Sequence, residues 1–513
     1  MPQQTRPPSA ASAALARDDV PAPPRPAGAL RRVLLGGSFN PPGAHHRAIA
    51  QALAARFDEV VVVPCGPRPD KRATEDVPAV DRAAMTDMTF QGLPRVRVDL
   101  WDMEEPSFTR THALETRYAA QGAEVWHVVS AEHVRGGGRG EAEIQRRWER
   151  GPEIWRRLRF VVAAPPGGAP SPEDMPPRAE ILEVDAPGLS TSIRQAALLS
   201  RSLDDLVVPA VARYIARHQL YRGALPHRTT RLTLTELRPL IVADPRSAEA
   251  QTIASNLRAS LGLAAAPPSA APTSPDEGRG RQEPAPSEPR GANIIVVVGG
   301  DGMMLRAIRS HWRLRLPFYG VNTGHMGFLL NQRGPEEFLG QELVVEQLPL
   351  LRVGVTRADG SEAAALAFND AWVERASGQT AWLSVRVNGK ERLPKLIADG
   401  ALVATAAGST SYARAMGAHA LPLNTPALLL VGSNVLRPAF WQPVVLPLDA
   451  GVSLTTLDPG KRPLRAYIDG VHQGLVRRLD ARVSQVAAAE LAFAPLHHPA
   501  EKLAQIQFPL APD

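Results

Sequence analysis

The stretch Ile294-Ile295-Val296-Val297-Val298-Gly299-Gly300-Asp301-Gly302-Met303-Met304-Leu305-Arg306-Ala307-Ile308 decides how this chain is read. Its apolar run is short, β-branched and closed by glycine, which fits a buried strand. The glycines allow a sharp turn and a close approach of backbone to a ligand. Met303 to Ile308 carries no breaker and reads as the start of a helix. A lone carboxylate between glycines at such a turn is placed to touch a hydroxyl or a phosphate-bound metal. The bland alternative is a tight bend with a solvated aspartate, and the segment alone does not choose.

Working outward, Leu240 to Val242 reads as a strand and Ala248 to Leu261 as the helix after it. Residues 264–291 are dominated by Pro, Ala, Ser, Gly and charge, so they are expected to form a disordered insertion. From Leu351 the pattern alternates, as in Ser384-Val385-Arg386-Val387, and the Asn388-Gly389 pair signals a hairpin. Upstream, Arg31 to Leu35 leads into Gly36-Gly37, and Ile49, Leu53 and Phe57 share one helical face. Further strands are expected at Glu59 to Val63, Val96 to Leu100, Glu124 to Val129 and Arg159 to Ala163, with helices between. This rhythm indicates a parallel sheet covered on both faces. Val211, Tyr214, Ile215 and His218 form an amphipathic closing helix before Gly223. The expected plan is a disordered tail at 1–29, an α/β domain at 30–224, a linker at 225–233 and a second domain at 234–513. The second domain is expected to have an α/β half and a β-rich, sandwich-like half at about 351–490.

Composition narrows the partners. The 58 cations and 52 anions give a net charge of only +6, with no clustered basic face, so nucleic acid is not expected and anionic small ligands such as nucleotides suit the balance. Cys65 is the sole cysteine, which rules out an intrachain disulfide and a cysteine-based zinc site and points to a reducing, cytoplasmic setting. No apolar run approaches a membrane span, and the first residues lack the apolar segment of a signal peptide, so no membrane partner is expected.

The segment Gly36-Gly37-Ser38-Phe39-Asn40-Pro41-Pro42-Gly43-Ala44-His45-His46 follows a strand and precedes a helix. Backbone N–H groups at that helix start can face phosphate oxygens, with histidines beside them. A proline-bounded loop with two exposed histidines is the alternative. The segment resembles the signature G-x-F-x-P-x-H-x-G-H of nicotinate/nicotinamide mononucleotide adenylyltransferases. Pro69-Asp70-Lys71, Asp81-Arg82-Ala83-Ala84-Met85, Ser190-Thr191-Ser192-Ile193-Arg194 and Val208-Pro209 through Tyr214-Ile215 to Leu220-Tyr221 agree in order. The resemblance implies a Rossmann-like nucleotidyltransferase that joins ATP to a pyridine mononucleotide and releases pyrophosphate. It would place Gly37, Ser38, Phe39 and His45 in the nucleotide-binding loop. His46 and Arg194 would stabilise the triphosphate, Ser190 and Thr191 would add hydrogen bonds, and Lys71 would be a further phosphate contact. The chain departs from the signature: its first histidine aligns with Gly43 and its glycine with His45. Either His45 supplies the function from two positions later, or the domain is slow or only binds. The family's G-x-D turn is Ser130-Ala131-Glu132 here.

After the Gly299 turn come Gly320-Val321-Asn322-Thr323-Gly324-His325-Met326-Gly327-Phe328-Leu329, then Asn369-Asp370, Asp399-Gly400 and Gly408-Ser409-Thr410-Ser411-Tyr412. Each alone is usually a turn or loop. Their order and spacing resemble NAD kinase from about Leu234 onward, with Met303 where that family has threonine and Ala406-Ala407 in a stretch that usually holds proline. The resemblance implies transfer of the ATP γ-phosphoryl group to the adenosine 2′-hydroxyl of NAD, with Mg²⁺ accompanying ATP. Asp301 would be the general base, with Gly300 and Gly302 shaping the turn and Arg306 meeting phosphate. Asn322 and Gly324 would be cofactor-binding, Asn369 and Asp370 would hold the adenosine half of NAD, and Asp399, Thr410, Ser411 and Tyr412 the other half. No resident metal site is expected. Self-association through the β-rich half is an expectation from family. Diacylglycerol-type lipid kinases share the G-G-D-G turn but do not account for the 320–329 and 408–412 segments. A nucleotide-binding regulator built from two degenerate domains is the rival of a different class. The two resemblances together describe a bifunctional protein of NAD(P) biosynthesis, with nicotinate and nicotinamide mononucleotide both open as substrates.

Overall fold

The computed structural model describes residues 30–68, 77–186, 188–263, 291–324, 327–332, 334, 339–497 and 499–507. The expected tail at 1–29, nearly all of the insertion at 264–291, and Lys71 lie outside the described residues.

The N-terminal domain is a six-stranded, all-parallel sheet in the order β3-β2-β1-β4-β5-β6. Its strands are β1 Leu30–Gly37, β2 Glu59–Pro64, β3 Val96–Val98, β4 Ala123–Ser130, β5 Phe160–Ala164 and β6 Ala179–Glu183. The helices are α1 Ala44–Ala54, α2 Ala79–Phe90, α3 Thr111–Ala119, α4 Ala131–Val134, α5 Glu143–Arg147, α6 Gly151–Arg157, α7 Ser190–Leu198 and α8 Pro209–Arg217. Val60, Val61 and Val62 are fully buried, as expected of a strand covered on both faces. The strand order reverses beside β1, so a crevice opens at the carboxyl end of β1, where Gly36-Gly37 sits.

The C-terminal part is a 15-stranded mixed sheet system. Parallel strands β8 Pro239–Ala243, β9 Ile294–Gly299 and β10 Phe318–Asn322 form its first half, with α9 Ala248–Ser260 and α10 Asp301–His311 packed on them. Ile294 to Val298 are all fully buried. The long strands β11 Glu342–Arg357 and β21 Val471–Phe493 pair antiparallel and carry the chain into the β-rich half. That half contains β12 Glu362–Ala367, β13 Asp370–Arg375, β14 Ala381–Val387, β15 Lys390–Ala398, β16 Gly400–Ala404, β17 Ala427–Ser433, β18 Val444–Pro447, β19 Val452–Thr456 and β20 Leu464–Ile468. The short helix α11 Tyr412–Ala415 completes it, while α12 Pro499–Gln507 packs back on the α/β half through Leu503. Asn388 and Gly389 both take left-handed backbone (φ 52° and 73°), the geometry of a tight hairpin between β14 and β15.

The stretch expected as a linker, 225–233, is partly structural. Thr229–Thr233 forms β7, which pairs antiparallel with β11, because an extended chain leaving the first domain meets an open strand edge there. The two domains meet over buried polar contacts. Glu490 on β21 accepts from His218 Nε2 at 2.7 Å and from Arg217. Burial alone would raise its carboxyl pKa, but the Arg217 charge and the His218 hydrogen bond outweigh it and hold the carboxyl down to about 2. Glu104 accepts from Arg482 (2.9 Å) and from the Ser484 hydroxyl on the same strand. No helix among the described residues is long and apolar enough to cross a membrane.

Candidate active sites

In the first crevice the signature loop is held from several sides. Ser190 Oγ donates to the Pro41 carbonyl at 2.8 Å, Arg194 donates to the Asn40 carbonyl at 2.6 Å, and the Tyr221 hydroxyl donates to Asn40 Oδ1 at 2.7 Å. Two segments distant in sequence, α7 and the stretch after α8, therefore converge on two loop residues. Arg194 also reaches Thr191 Oγ1 at 3.3 Å. In this state Ser190 and Arg194 hold the loop itself. Phe39 is buried with a positive φ of 43°, and its ring lies edge-on to His46 and to Phe90 on α2.

His46 accepts the Gly43 N–H at Nδ1 (3.1 Å), which puts its own proton on Nε2. Burial, and then His45 beside it, push the His46 pKa down to about 3, so the ring is a neutral donor. The His45 pKa is lowered by burial too. Gly43 has ordinary extended backbone (φ −107°), so its conformation does not demand glycine. Space does. A Cβ there would stand 2.6 Å from the His45 ring and 2.8 Å from Ile193 Cδ1. Gly188, at φ +137°, confronts the same ring, with a Cβ position 3.0 Å from His45 Nδ1. The His45 imidazole thus fills the volume that a side chain at 43 would enter.

At the second turn, Gly299 has φ +156° and Asp301 begins α10. The Asp301 carboxylate accepts the Phe328 N–H at 2.9 Å and the Leu329 N–H at 3.0 Å, one on each oxygen. This joins the Gly299 turn to the end of the 320–329 segment, and the Thr323 N–H donates to the Gly299 carbonyl (3.2 Å). Asn322 and Gly324 bond each other, Gly324 N–H to Asn322 Oδ1 at 3.1 Å and Asn322 Nδ2 to the Gly324 carbonyl at 2.9 Å. Gly302 and Arg306 are exposed on α10. Among the described residues nothing lies within 4 Å of a Cβ position at Gly300, which leaves room beside its backbone.

Asn369 and Asp370 are buried at 7% and 5% exposure, and among the described residues Asn369 Oδ1 has no hydrogen-bond partner. Buried side-chain oxygens normally have one, so this atom keeps acceptor capacity for a water or another donor. Gly408 packs against the same residue: a Cβ there would stand 2.3 Å from the Asn369 carbonyl oxygen. Beyond it, Thr410 bonds the Ala407 carbonyl, Ser411 follows, and the half-exposed Tyr412 ring lies 4.9 Å from Trp372.

Residues missed in the sequence complete this region. Asp469 accepts the N–H groups of Phe368 (2.7 Å), Asn369 (2.8 Å) and Asp370 (3.2 Å). Burial and then the Asp469 charge push the Asp370 carboxyl up to about 7. Arg309 on α10 faces Asp469 electrostatically. Lys502 on α12 donates to the carbonyls of Gly327 (2.8 Å) and Leu330, and burial lowers its pKa to about 8 against the attraction of Asp301. The Asp469-Gly470 pair after an apolar strand was the one available signal. Asp399 is not brought to this site within the chain. It takes Arg375 (2.6 Å) and Asn434 (2.8 Å) at the far end of β13, five positions from Asp370. At ~3.3 Å per residue that is roughly 16 Å away.

Comparison with known proteins agrees with both halves. A family model described as ATP-NAD kinase N-terminal domain matches residues 241–341, and one described as cytidylyltransferase-like matches residues 34–165. The NAD kinase of Rickettsia bellii is 35% identical over 219 residues, 42% of this chain and 86% of the relative. That of Cereibacter sphaeroides is 36% identical over 220 residues, with the same coverage. Among solved structures, yeast NADH kinase complexed with NADH aligns with 43% of this chain and 69% of its own at 18% identity, with a TM-score of 0.39. These relatives are matched over most of their own length, so the chain belongs to the NAD kinase family, with a cytidylyltransferase-like domain ahead of the kinase.

Proposed function

We propose that the C-terminal domain phosphorylates NAD at the adenosine 2′-hydroxyl with ATP. The observation that carries this reading is the Asp301 carboxylate, fixed by two backbone N–H groups at the mouth of a glycine turn. Each carboxylate oxygen keeps acceptor capacity beyond its backbone partner. Asp301 takes the hydroxyl proton as the 2′-oxygen bonds to the γ-phosphorus and the bond to the β-phosphate oxygen breaks, releasing ADP. Arg306 meets phosphate from the exposed side of α10. Asn369 and Asp370 grip the adenosine half, with Asn322 and Gly324 beside it, and Thr410, Ser411 and Tyr412 hold the other half. Mg²⁺ enters on the ATP phosphates as part of that substrate. Asp399 has no part in this reading within a single chain. Self-association through this domain belongs to the proposal and is supported by Phe440, 94% exposed, and Val445, 61% exposed.

The N-terminal domain, on the same proposal, transfers the adenylyl group of ATP to nicotinate or nicotinamide mononucleotide. The mononucleotide phosphate attacks the α-phosphorus and pyrophosphate leaves, so positioning and charge neutralisation suffice. Support comes from the convergence of Ser190, Arg194 and Tyr221 on the signature loop. His46 donates from Nε2 to the triphosphate, and His45, standing where a side chain at 43 would be, takes the place of the signature's first histidine. One assay tests both activities. The intact protein is given ATP with each mononucleotide, or ATP with NAD, and NAD, its deamido form, pyrophosphate and NADP are measured together. NADP from NAD and pyrophosphate from one mononucleotide are expected. Absence of NADP removes the kinase reading, and absence of pyrophosphate with both mononucleotides removes the other.

A further inference from the structure

Helix α2 is buried along its length from Asp81 to Phe90 although it carries two aspartates, an arginine and two threonines. Charged residues are rarely so buried unless paired. Here the partners divide by direction. Toward the first site, Arg82, 1% exposed, donates to the Ser38 carbonyl (2.8 Å) and through both terminal nitrogens to the Cys65 carbonyl (3.1 Å each). Arg47, next to His46, donates to the Thr89 and Gln91 carbonyls at the other end of the helix. Phe90 packs on Phe39 of the signature loop, ring centroids 5.6 Å apart. The helix is the wall on which that loop rests.

Toward the kinase domain, the same helix offers its carboxylates. Asp81, fully buried, takes both terminal nitrogens of Arg228 at 2.9 Å each, and the Tyr214 hydroxyl at 2.8 Å. Arg228 also donates to Gln347 on β11, whose amide reaches back to the Tyr214 hydroxyl at 2.8 Å. Asp87 takes Arg315 Nε at 2.9 Å and the Arg313 guanidinium. Arg313 and Arg315 follow the end of α10, the helix that Asp301 begins.

We propose that Arg228, Arg313 and Arg315 are positioning residues for the first site: the kinase domain fixes α2, and α2 through Arg82 fixes the Ser38 and Cys65 walls of the nucleotide crevice. A two-pronged arginine–carboxylate pair sets orientation as well as distance, which a single charge does not. The placement of the first site is then a property of the fused chain. For catalysis this rests on the adenylyl-transfer reading, but the positioning itself does not.

The test uses the full chain and its single thiol. Arg82 holds the carbonyl of Cys65 itself, and the residue is partly exposed, so the rate at which a disulfide reagent modifies its thiol reports the wall directly. Arg228→Met is expected to speed that modification about fivefold and to raise the KM for ATP in pyrophosphate release about tenfold, on the scale by which small misplacements impair catalysis. NADP formation should stay within about twofold, since Arg228 touches nothing at the kinase site. Arg228→Lys should fall between the two. If Arg228→Met does not fold, Arg313→Met, which leaves Arg315 on Asp87, is read in the same way. Unchanged Cys65 modification and unchanged KM would overturn the proposal. So would activity that falls only in proportion to the folded fraction. A wild-type chain that releases no pyrophosphate removes only the adenylyl-transfer reading, and the Cys65 rates still decide the positioning.

Discussion

The two glycine turns of this chain begin alike and are finished differently. Each ends a buried parallel strand, Leu30–Gly37 in one and Ile294–Gly299 in the other, and each opens a helix. At the first turn the side chains beside the loop are donors: a neutral His46, His45, Ser190 and Arg194. At the second they are largely acceptors: Asp301, Asp370, Asp469 and the unpartnered Asn369 Oδ1. The contrast matches two kinds of phosphorus chemistry. Where phosphate is itself the nucleophile no proton need be removed, and donors that neutralise charge are enough. Where a hydroxyl attacks, something must accept its proton.

The sharpest break in that contrast would come at Asp301. Asp301→Asn should lower NADP formation by about 10³-fold, within the usual range for loss of a positioned base. One backbone N–H, from Phe328 or Leu329, would then face an amide NH₂, at a cost of about 1–3 kcal/mol in stability. Steady-state turnover and thermal unfolding measure the two effects, and turnover above a tenth of wild type would remove Asp301 from the role of base.

A smaller effect tests the donor side. Gly43→His alone should depress pyrophosphate release by about 10²-fold, because the new side chain meets the His45 ring and Ile193. Gly43→His with His45→Gly should recover to within about threefold. A double variant no better than the single one would show that His45 has a role of its own. Pyrophosphate release by each variant is the readout.

The smallest effect is a titration. Asp370 is raised to about 7 by burial and Asp469, so it loses its proton between about pH 6 and 8. Only the carboxylate accepts two ribose hydroxyls, so the KM for NAD should fall severalfold across that window, and Asp370→Asn should flatten the dependence. The sign for stability is opposite. Above about pH 4 the unfolded chain has released a proton that the folded chain still holds, so this group's contribution weakens as pH rises toward 7. A pH series of KM values with unfolding midpoints separates the two.

Much of this was legible beforehand, for reasons that differ by residue. Ile294 to Val298 announced itself because parallel strands covered on both faces must be apolar throughout. Asn388-Gly389 did so because both residues take left-handed backbone. Strand β7 looks like linker in sequence because Thr229–Thr233 gains its place from the edge of β11, a partner more than a hundred positions away. The family resemblance places Asp399 with the 408–412 segment, whereas β13 and β16 run antiparallel and carry it to the opposite end of β13. Asp469 was missed because an Asp-Gly pair is an ordinary turn until it faces three backbone N–H groups.

Strand periodicity and glycine at the turns are local properties, and they were enough to specify two α/β units that each close a buried strand with a glycine turn; what those turns handle, and the carboxylate at the centre of the second, came from the resemblance of the motifs to known families. Which groups are free to act was decided only in three dimensions. Protonation and occupancy depend on neighbours that sequence distance conceals. His46 is neutral because burial and His45 act on it together. Gly43 is glycine because a ring from two residues later occupies its space. The carboxylates of α2, unremarkable in sequence, became the seam of the molecule when the kinase half supplied arginines to meet them.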